Sequence, residues 1–386
     1  MTYVTTHRPV VTEGPVLIIG TGLLGASLGL CLRASHIDVL LQDTSPTSLR
    51  LAQDIGAGIP LKEWSGLPPQ LVIVATPPDV AHECVLSALQ TWPQAVVTDV
   101  ASVKEAVLED LLSYCAHTDD YSILGRYVGS HPMAGRERSG AGAADADLFY
   151  GRPWVLVAHP YSSHETVVRI RALATDVGAF PVEMDAHTHD RSVALVSHVP
   201  QLVSSLLASR LVDASSEALG LAGQGLRDTT RIAASDPRLW TVILAGNAGP
   251  VVSILRELQS DLADLITHLD KAAELGPLRG GSVGAVNRVM ESGNRGVARI
   301  PGKHGGAPRR YAELEVLIPD TPGALGQLFT ELGEIGVNIE DLALEHSAGQ
   351  HVGLARVMID PSRLRQAQKE LESRGWRLIT HAIETA

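Results

Sequence analysis

The chain has 386 residues, 45% of them apolar, and a formal net charge of -12. This length exceeds one hydrophobic core, so two or three domains are expected. The negative charge offers no general attraction for nucleic acid or an anionic membrane, which makes both partners unexpected. An anionic substrate would need a locally placed Arg or Lys.

The cysteine content and the N-terminus bear on the compartment. Cys31, Cys84 and Cys115 are odd in number and widely spaced, which fits neither a disulfide framework nor a zinc site, so a reducing cytoplasm is expected. No run approaches the ~18 apolar residues that span a bilayer. Residues 1–14 are polar and are predicted to be a loose leader.

Residues 15–185 alternate short β-branched segments with helical ones. The strand-like segments are PVLIIG, DVLLQD, LVIVATPP and AVVTDVAS, and LLGASLGLCLRA follows the first of them as a helix. This βαβ series predicts a Rossmann-type α/β domain with a doubly wound parallel sheet. Two further segments, WVLVAHP and FPVEMD, are predicted to extend that sheet to residue 185.

The rest of the chain divides into three parts. Residues 186–296 carry apolar residues at helical spacing and predict an all-helical substrate and dimerisation domain. Its helices are more apolar than one buried stripe requires, so a homodimer is expected. Residues 297–310 are rich in Gly, Pro and basic residues and predict a linker. Residues 311–386 follow a βαββαβ order.

A glycine motif follows the first predicted strand. Gly20, Gly22 and Gly25 form G-x-G-x-x-G between PVLIIG and the next helix. Gly20 permits a tight turn, Gly22 lets the backbone approach a pyrophosphate, and Gly25 lets the helix pack on the strand. Alone the motif is weak evidence, because glycine turns after strands are common.

Asp43 strengthens the motif. It ends the second strand, about 20 residues on, where a carboxylate would bind the adenosine ribose and repel a 2′-phosphate. It could instead simply end a strand. Because the strand, the three glycines, the helix and the Asp43 carboxylate have the expected order and spacing, we predict an NAD site. Its remaining members are Leu23, Leu24 and Thr76.

His131 is the candidate base. Oxidation of an alcohol needs a proton acceptor, and neutral His suits physiological pH. The segment SHPMAG follows the strand-like YVG, and Pro132 and Gly135 indicate a shaped loop. A lone His on a loop is more often a solvated surface residue, so the segment alone does not decide between the two.

Four segments then occur in a specific order. They are DVASVK (99–104), SHPMAGRE (130–137), HDRSVALVSHVPQ (189–201) and LRDTTRIAASDPRLW (226–240). Together they closely resemble the prephenate and arogenate dehydrogenase family, from about residue 15 to about residue 293. The resemblance implies oxidative decarboxylation of prephenate to 4-hydroxyphenylpyruvate, with hydride transfer to NAD, in tyrosine biosynthesis.

The resemblance also implies residue roles. His131 accepts the ring-hydroxyl proton, Ser102 is hydrogen-bonded beside it, and Lys104 is close to the substrate. Arg231 grips a substrate carboxylate, for which a planar guanidinium is suited. Without the family, Arg231 would be an ordinary surface charge.

Further substrate groups are implied at His189, Glu137 and His198, which gate or orient the site. Many relatives have a second His where this chain has Gln201. That departure leaves open both the choice between prephenate and arogenate and direct inhibition by tyrosine, because Gln can hydrogen-bond a keto or an amino group. We expect prephenate.

Three alternatives are weighed. His187, His189 and Asp190 could bind a metal, but H-x-H at a helix start puts the rings on different faces, so no metal is expected. A β-hydroxyacid dehydrogenase would need a catalytic Lys where GLAGQGLRD provides Arg and Asp. A non-catalytic amino-acid sensor would not need the candidate catalytic residues.

The C-terminal segment IPDTPGALGQLFTELGEIGVNIEDL closely resembles an ACT domain. The resemblance implies an amino-acid effector at Asp320, Gly323, Ala324 and Asn338, where a Gly-rich turn exposes backbone N–H groups. Tyrosine, the end product, is the expected effector. The alternative is a purely structural dimer module.

Overall fold

The computed structural model describes residues 10–136, 138–301, 311–346 and 352–379. The chain divides into two compact units, the first made of residues 1–212 with 230–258 and the second of residues 213–229 with 259–386. The domain boundaries predicted from the sequence, at residues 15, 186, 297 and 311, stay predictions.

The first unit begins with a parallel sheet. Its strands are β1 (Val16–Ile19), β2 (Val39–Gln42), β3 (Ile59–Pro60), β4 (Leu71–Val74) and β5 (Val96–Asp99), in the order β3-β2-β1-β4-β5. The connecting helices are α1 (Leu23–Ala34), α2 (Pro46–Asp54), α3 (Pro78–Thr91) and α4 (Glu105–Thr118). Val16, Leu17 and Ile18 of the central strand are completely buried, because helices cover both faces. The predicted Rossmann-type sheet is confirmed.

A second sheet follows. It contains β6 (Gly129–Pro132), β7 (Pro153–Val157) and β8 (Phe180–Glu183), with α5 (His164–Asp176) between the last two. β6 is antiparallel to β7, and β7 is parallel to β8. The prediction that these strands extend the first sheet was wrong. Among the described residues, one β-bridge, from Val97 to Tyr127, joins the two sheets. Beyond it the backbone pairing stops, and the Ser130 hydroxyl donates to the Asp99 carbonyl instead.

A long broken helix opens the helical part of the first unit. It consists of α6 (Ala186–Val193), a π turn (Ala194–His198) and α7 (Val199–Ser209). Pro200 lies inside this helix, where its ring removes one N–H donor and crowds the carbonyl four residues earlier. The wider π turn just before it accommodates that defect. Helix α10 (Pro237–Gly246) and the first part of α11 (Ala248–Leu275) follow.

Some of these helices are apolar enough to consider a membrane. By length and composition alone, Ala186–Ser209 could cross one, and so could Pro237–Gly246 with Ala248–Leu275 despite a 94° bend between them. The first of these buries His189, Asp190 and His198 inside the protein. Core helices of water-soluble proteins have the same length and composition, so the expected lack of a membrane partner stays a prediction.

The second unit contains α8 (Ser216–Gly220), most of α9 (Gln224–Thr230), the rest of α11 and α12 (Ser282–Val297). A four-stranded antiparallel sheet follows, in the order β10-β11-β9-β12. Its elements are β9 (Ala312–Pro319), α13 (Ala324–Glu334), β10 (Asp341–His346), β11 (Val352–Ile359), α14 (Leu364–Ser373) and β12 (Arg377–Ile379). The predicted βαββαβ order is confirmed.

The described part of the predicted leader is attached to the first unit. The backbone N–H groups of Val11 and Thr12 donate to the Asp176 carboxylate, at the end of α5, at 3.0 and 2.6 Å. Residues 1–9 lie outside the described residues, as do residues 302–310 of the predicted linker.

Candidate active site

The glycine turn after β1 leaves no room for a side chain at two of its three glycines. Gly20 has a φ of +98°, and a Cβ there would lie 2.4 Å from the Ala75 carbonyl oxygen. A Cβ on Gly25 would lie 1.9 Å from the Gly20 carbonyl oxygen, whereas one on Gly22 would meet none of the described atoms within 4 Å. The N-terminus of α1 has no side-chain cap, and Leu23 and Leu24 form its first turn. These features fit a pyrophosphate bound by backbone N–H groups.

Asp43 holds this turn in place. Its Oδ2 accepts hydrogen bonds from the backbone N–H and the hydroxyl of Thr21, both at 2.7 Å, and its Oδ1 accepts one from Ser45 N. The half-buried carboxylate keeps acceptor capacity for ribose hydroxyls. Thr76 Oγ1, after β4, is buried without a hydrogen-bond partner among the described residues. Both side chains suit a dinucleotide.

His131 lies within strand β6, where it is opposite Val155 of β7. The expectation that it belongs to a loop was wrong, since the loop begins only at Met133. Successive side chains of a strand point to opposite faces. Ser130 is therefore buried against Asp99, while the His131 ring is only partly buried.

His131 is the outer member of a hydrogen-bonded chain. Its Nδ1 lies 2.9 Å from Nε2 of His189, and Nδ1 of His189 lies 2.6 Å from Oδ1 of Asp190. His189 and Asp190 are each 1% exposed. The Asp190 carboxylate also accepts hydrogen bonds from the N–H groups of Lys104 and Glu105, both at 2.9 Å.

Two helix starts position this chain. Asp185 caps α6 by accepting a hydrogen bond from Thr188 N at 2.9 Å, which fixes the first turn on which His189 and Asp190 lie. Helix α4 has no such local cap, and the Asp190 carboxylate serves instead. The orienting role of His189 was predicted from the sequence, whereas Asp190 was named there only as an alternative metal ligand.

Lys104 is a buried counter-ion. Its side chain is 1% exposed and forms an ion pair with the fully buried Asp99. The Tyr127 hydroxyl donates to the other oxygen of Asp99 at 2.7 Å, and Ala101 N donates to the first at 2.9 Å. Burial lowers the pKa of Lys104, and Asp99 opposes that change. The direct contact with a substrate that the resemblance implies stays a prediction.

Ser102 lies in the loop between β5 and α4 and is partly buried. Its expected hydrogen bond to His131 is not among the hydrogen bonds of the described residues, where His189 contacts the His131 ring instead. Glu137 lies outside the described residues. Its implied role stays a prediction.

His198 ends the π turn and is 1% exposed. Its Nδ1 lies 3.0 Å from Nδ2 of Asn247, which also donates to the Asp190 carbonyl at 2.8 Å. The Trp240 ring meets it edge-on, with centroids 6.1 Å apart. Burial lowers the pKa of His198 to about 4.

Gln201 and Arg231 are connected through α7. Gln201, 6% exposed, accepts a long hydrogen bond of 3.4 Å from the Ser235 hydroxyl. Arg231 begins the short 3-10 helix Arg231–Ala233, which packs on α7. Arg231 itself is exposed. The convergence of Arg231 and His131 on one ligand stays a prediction.

The electrostatics keep the His131 ring unprotonated. Burial lowers its pKa well below the ordinary value, and the nearby groups His189, Lys104 and His198 act in the same direction. The ring is therefore neutral at physiological pH, which leaves one nitrogen free to accept a proton.

The broken helix Ala186–Ser209 has an inverted polarity. Its polar residues His189, His198 and Ser204 are buried, whereas Leu195, Val196 and Leu206 are at least 60% exposed. Apolar side chains on an outer face are typical of a surface that another molecule covers. The polar inner face lines the site.

The alternative metal ligands point apart. His187 is exposed with its Nδ1 3.3 Å from a Glu105 carboxylate oxygen, while His189 faces His131 and Asp190. Among the described residues, no group of three or more His, Cys, Asp or Glu side chains could hold a metal ion.

Comparison with known proteins identifies the family. Two family models match: "Prephenate dehydrogenase, nucleotide-binding domain" over residues 28–182, and "Prephenate dehydrogenase, dimerization domain" over residues 185–275. The Streptomyces niveus protein named "Probable prephenate dehydrogenase NovF" is 33% identical over 93% of this chain and 98% of its own. The chain belongs to the prephenate dehydrogenase family.

Other relatives agree. The prephenate dehydrogenase of Bacillus subtilis is 26% identical over 92% of this chain and 94% of its own. The crystal structure of prephenate dehydrogenase from A. aeolicus, in complex with hydroxyphenyl propionate and NAD+, is 27% identical. It covers 72% of this chain and 97% of that chain, with a TM-score of 0.60. Members of this family are dehydrogenases of tyrosine biosynthesis, which decides against the β-hydroxyacid dehydrogenase and the non-catalytic sensor.

Replacement of Asp43 tests the cofactor site. Asp43→Ala removes the carboxylate that holds the glycine turn and is predicted to bind the ribose. A hydrogen bond to a charged group contributes about 1.5–3 kcal/mol, so the KM for NAD should rise roughly 10- to 100-fold. Steady-state kinetics with NAD and NADP measures it. Asp54→Ala, at the exposed end of α2, is the control, and an unchanged KM for NAD in Asp43→Ala would refute the assignment.

Replacement of Lys104 tests its function as a counter-ion. Lys104→Met leaves Asp99 buried without its cation, which should lower the free energy of unfolding by about 3–5 kcal/mol. Urea denaturation measures the change, with exposed Lys62→Met as the control. A variant of normal stability with a raised KM for the substrate would instead favour direct substrate binding by Lys104.

Proposed function

We propose that this protein is an NAD-dependent prephenate dehydrogenase, which converts prephenate to 4-hydroxyphenylpyruvate and carbon dioxide. The observation that carries the proposal is the neutral, partly exposed imidazole of His131, held through Nδ1 by buried His189. A ring fixed at one nitrogen presents the other to a substrate hydroxyl.

The chain's own residues then have distinct tasks. The glycine turn and the N-terminus of α1 bind the pyrophosphate, and Asp43 binds the ribose. NAD bound at this site would supply the acceptor for the hydride that leaves the carbinol carbon of the substrate. His131 Nε2 takes the hydroxyl proton, departure of the ring carboxylate as carbon dioxide makes the ring aromatic, and the proton returns to the phenolate oxygen of the product. Aromatisation makes the reaction effectively irreversible.

The substrate is a small dianion in a protein of negative net charge. Arg231 supplies the local cation for one carboxylate, as the family resemblance implies. The amide of Gln201 can donate or accept a hydrogen bond and therefore suits either a keto acid or an amino acid. We propose prephenate, in keeping with the names of the Streptomyces niveus and Bacillus subtilis relatives, and arogenate as the alternative substrate.

We place the enzyme in the cytoplasm as a homodimer. Its three cysteines are free, as expected in a reducing compartment. The outer face of the broken helix carries Leu195, Val196 and Leu206, and the match to a dimerization domain covers this helix. A second copy covering that face would remove the apolar area from water.

We propose that the C-terminal βαββαβ part is an ACT-type module that binds tyrosine. Gly323, with a φ of +89°, caps α13, and the exposed Asp320 lies just before that turn. Asn338 lies after α13 and donates to Glu340 at 2.7 Å. The Ala324 N–H donates to the Thr321 carbonyl at 3.2 Å, so at this position of the turn an amino-acid carboxylate would have to share or replace that hydrogen bond.

Replacement of His131 tests the base. His131→Asn removes the proton acceptor and should lower kcat by roughly 10²-fold or more, the range for losing an acid-base group. NAD binding, followed by protein fluorescence, should be preserved. Exposed His117→Asn is the control, and near-normal turnover of His131→Asn would remove His131 from the mechanism.

Replacement of Arg231 tests substrate binding. Arg231→Ala should raise the KM for prephenate by roughly 10- to 100-fold, because a charge-assisted hydrogen bond is lost, and leave the KM for NAD unchanged. NADH production from prephenate and from arogenate measures both the effect and the substrate preference. Exposed Arg238→Ala, on α10, is the control, and equal KM values in both variants would argue against a carboxylate contact.

Titration with tyrosine tests the effector site. The full chain should release or absorb heat with tyrosine in isothermal titration, and Asp320→Ala should weaken binding about tenfold, as expected for a lost charged hydrogen bond. Exposed Asp341→Ala is the control. Absence of binding, together with unchanged kinetics after deletion of the residues beyond 310, would eliminate tyrosine as the effector.

A further inference from the structure

The hydrogen-bonded series His131–His189–Asp190 is anchored at Asp190. Asp190 is 1% exposed, and both of its carboxylate oxygens are held by backbone N–H groups at the start of α4. A helix N-terminus carries partial positive charge, so this place stabilises an anion. The carboxylate therefore has one fixed position and acts only as an acceptor.

That anchor dictates where the protons of both rings reside. Because the Asp190 carboxylate can only accept, Nδ1 of His189 must carry a hydrogen to make the 2.6 Å contact. With its single ring hydrogen on Nδ1, His189 has a hydrogen-bond acceptor at Nε2. His131 must donate to it from Nδ1 across 2.9 Å, which leaves Nε2 of His131 with a free lone pair.

We propose that Asp190 is a positioning residue that selects, through His189, the tautomer in which His131 can act as a base. The inference rests on the proposed function and deepens it. His131 is the group that touches the substrate, whereas Asp190 acts two hydrogen bonds away.

The hydrogen-bonded series His131–His189–Asp190 can also relay the proton. When His131 Nε2 accepts the substrate proton, its Nδ1 proton passes to His189 Nε2, so one proton enters and none is lost. The resulting positive charge lies beside the Asp190 carboxylate, where an opposite charge is stabilising. His131 becomes neutral again.

Several other charged and titratable groups face these rings. Lys104 approaches from the loop after β5, in its pair with Asp99 and next to Tyr127, and His198 approaches from the π turn. Glu105 lies at the start of α4, beside His187. None of these groups is changed in the test variants, so they contribute equally to each pH profile.

The tautomer can be measured without turnover. Imidazole ¹⁵N resonances of the full chain, with the His131 signals identified by their loss in His131→Asn, should show a protonated Nδ1 and an unprotonated Nε2. In Asp190→Asn, the amide oxygen can retain a helix N–H while its NH2 donates to His189. The tautomer of His131 should then reverse, and an unchanged tautomer would overturn the proposal.

Kinetics supplies a second readout. Asp190→Asn should lower kcat by roughly 10²-fold or more and leave the KM for NAD unchanged, as for loss of the base itself. The acid limb of its pH profile should also move from the wild-type position. Asp54→Asn, which neutralises an exposed carboxylate at the end of α2, is the control and should resemble wild type.

A double variant separates positioning from folding. His189→Gln can still accept the His131 Nδ1 hydrogen through its amide oxygen, so it should retain more activity than Asp190→Asn. If Asp190 acts through His189, adding Asp190→Asn to His189→Gln should cost no further activity. A full additional loss of kcat would overturn the proposal. Wild-type protein inactive on both prephenate and arogenate would refute the proposed function, and the ¹⁵N spectra would still decide the tautomer.

Discussion

The carboxylate of Asp190 connects two elements that are distant in the chain. It caps α4, 86 residues earlier, and it orients the ring of the adjacent His189. The start of α4 needs an acceptor from elsewhere because its own N-cap residue, Lys104, supplies none. One buried anion therefore satisfies the end of a helix of the dinucleotide domain and fixes the base. The helical region and the parallel sheet meet at this point.

The inverted polarity of the broken helix follows from the same arrangement. The helix buries Val193, Ala194 and Val199 beside its inward polar residues, so only part of its apolar surface is covered in its own domain. Leu195, Val196 and Leu206 face outward, within the residues that match the family's dimerization domain. Under the proposed function, catalysis and association would use opposite faces of one helix.

Local signals made much of this fold predictable. The strand, the glycine turn and α1 are adjacent in sequence, and each glycine has a steric reason that a motif can express. The βαββαβ order was readable for the same reason. His131 could be selected among fifteen histidines only through the family resemblance, because one imidazole carries no signal of its burial.

What the sequence could not predict depends on contacts between distant residues. The pairing of β6 with β7 placed His131 on a strand, although Pro132 and Gly135 suggested a loop. The ion pair between Lys104 and Asp99 requires the intervening loop to fold back, and its burial requires Tyr127 to cover it. Capping of α4 by Asp190 has no local pattern at all. Each of these features takes its energy from tertiary packing, which periodicity does not encode.

The π turn also determines the direction in which the side chains of α7 point. His189 and His198 are nine positions apart, which in a regular α-helix would place them on roughly opposite faces, yet both are buried and both connect to Asp190, the second through Asn247. The wider turn rotates the second half of the helix back toward the first. Regular α-helical winding of the same residues would instead swing Gln201 and Ser204 toward the outer surface and carry Leu206 toward the interior. The spacing of residues in this segment is therefore as much a determinant of the site as their identity.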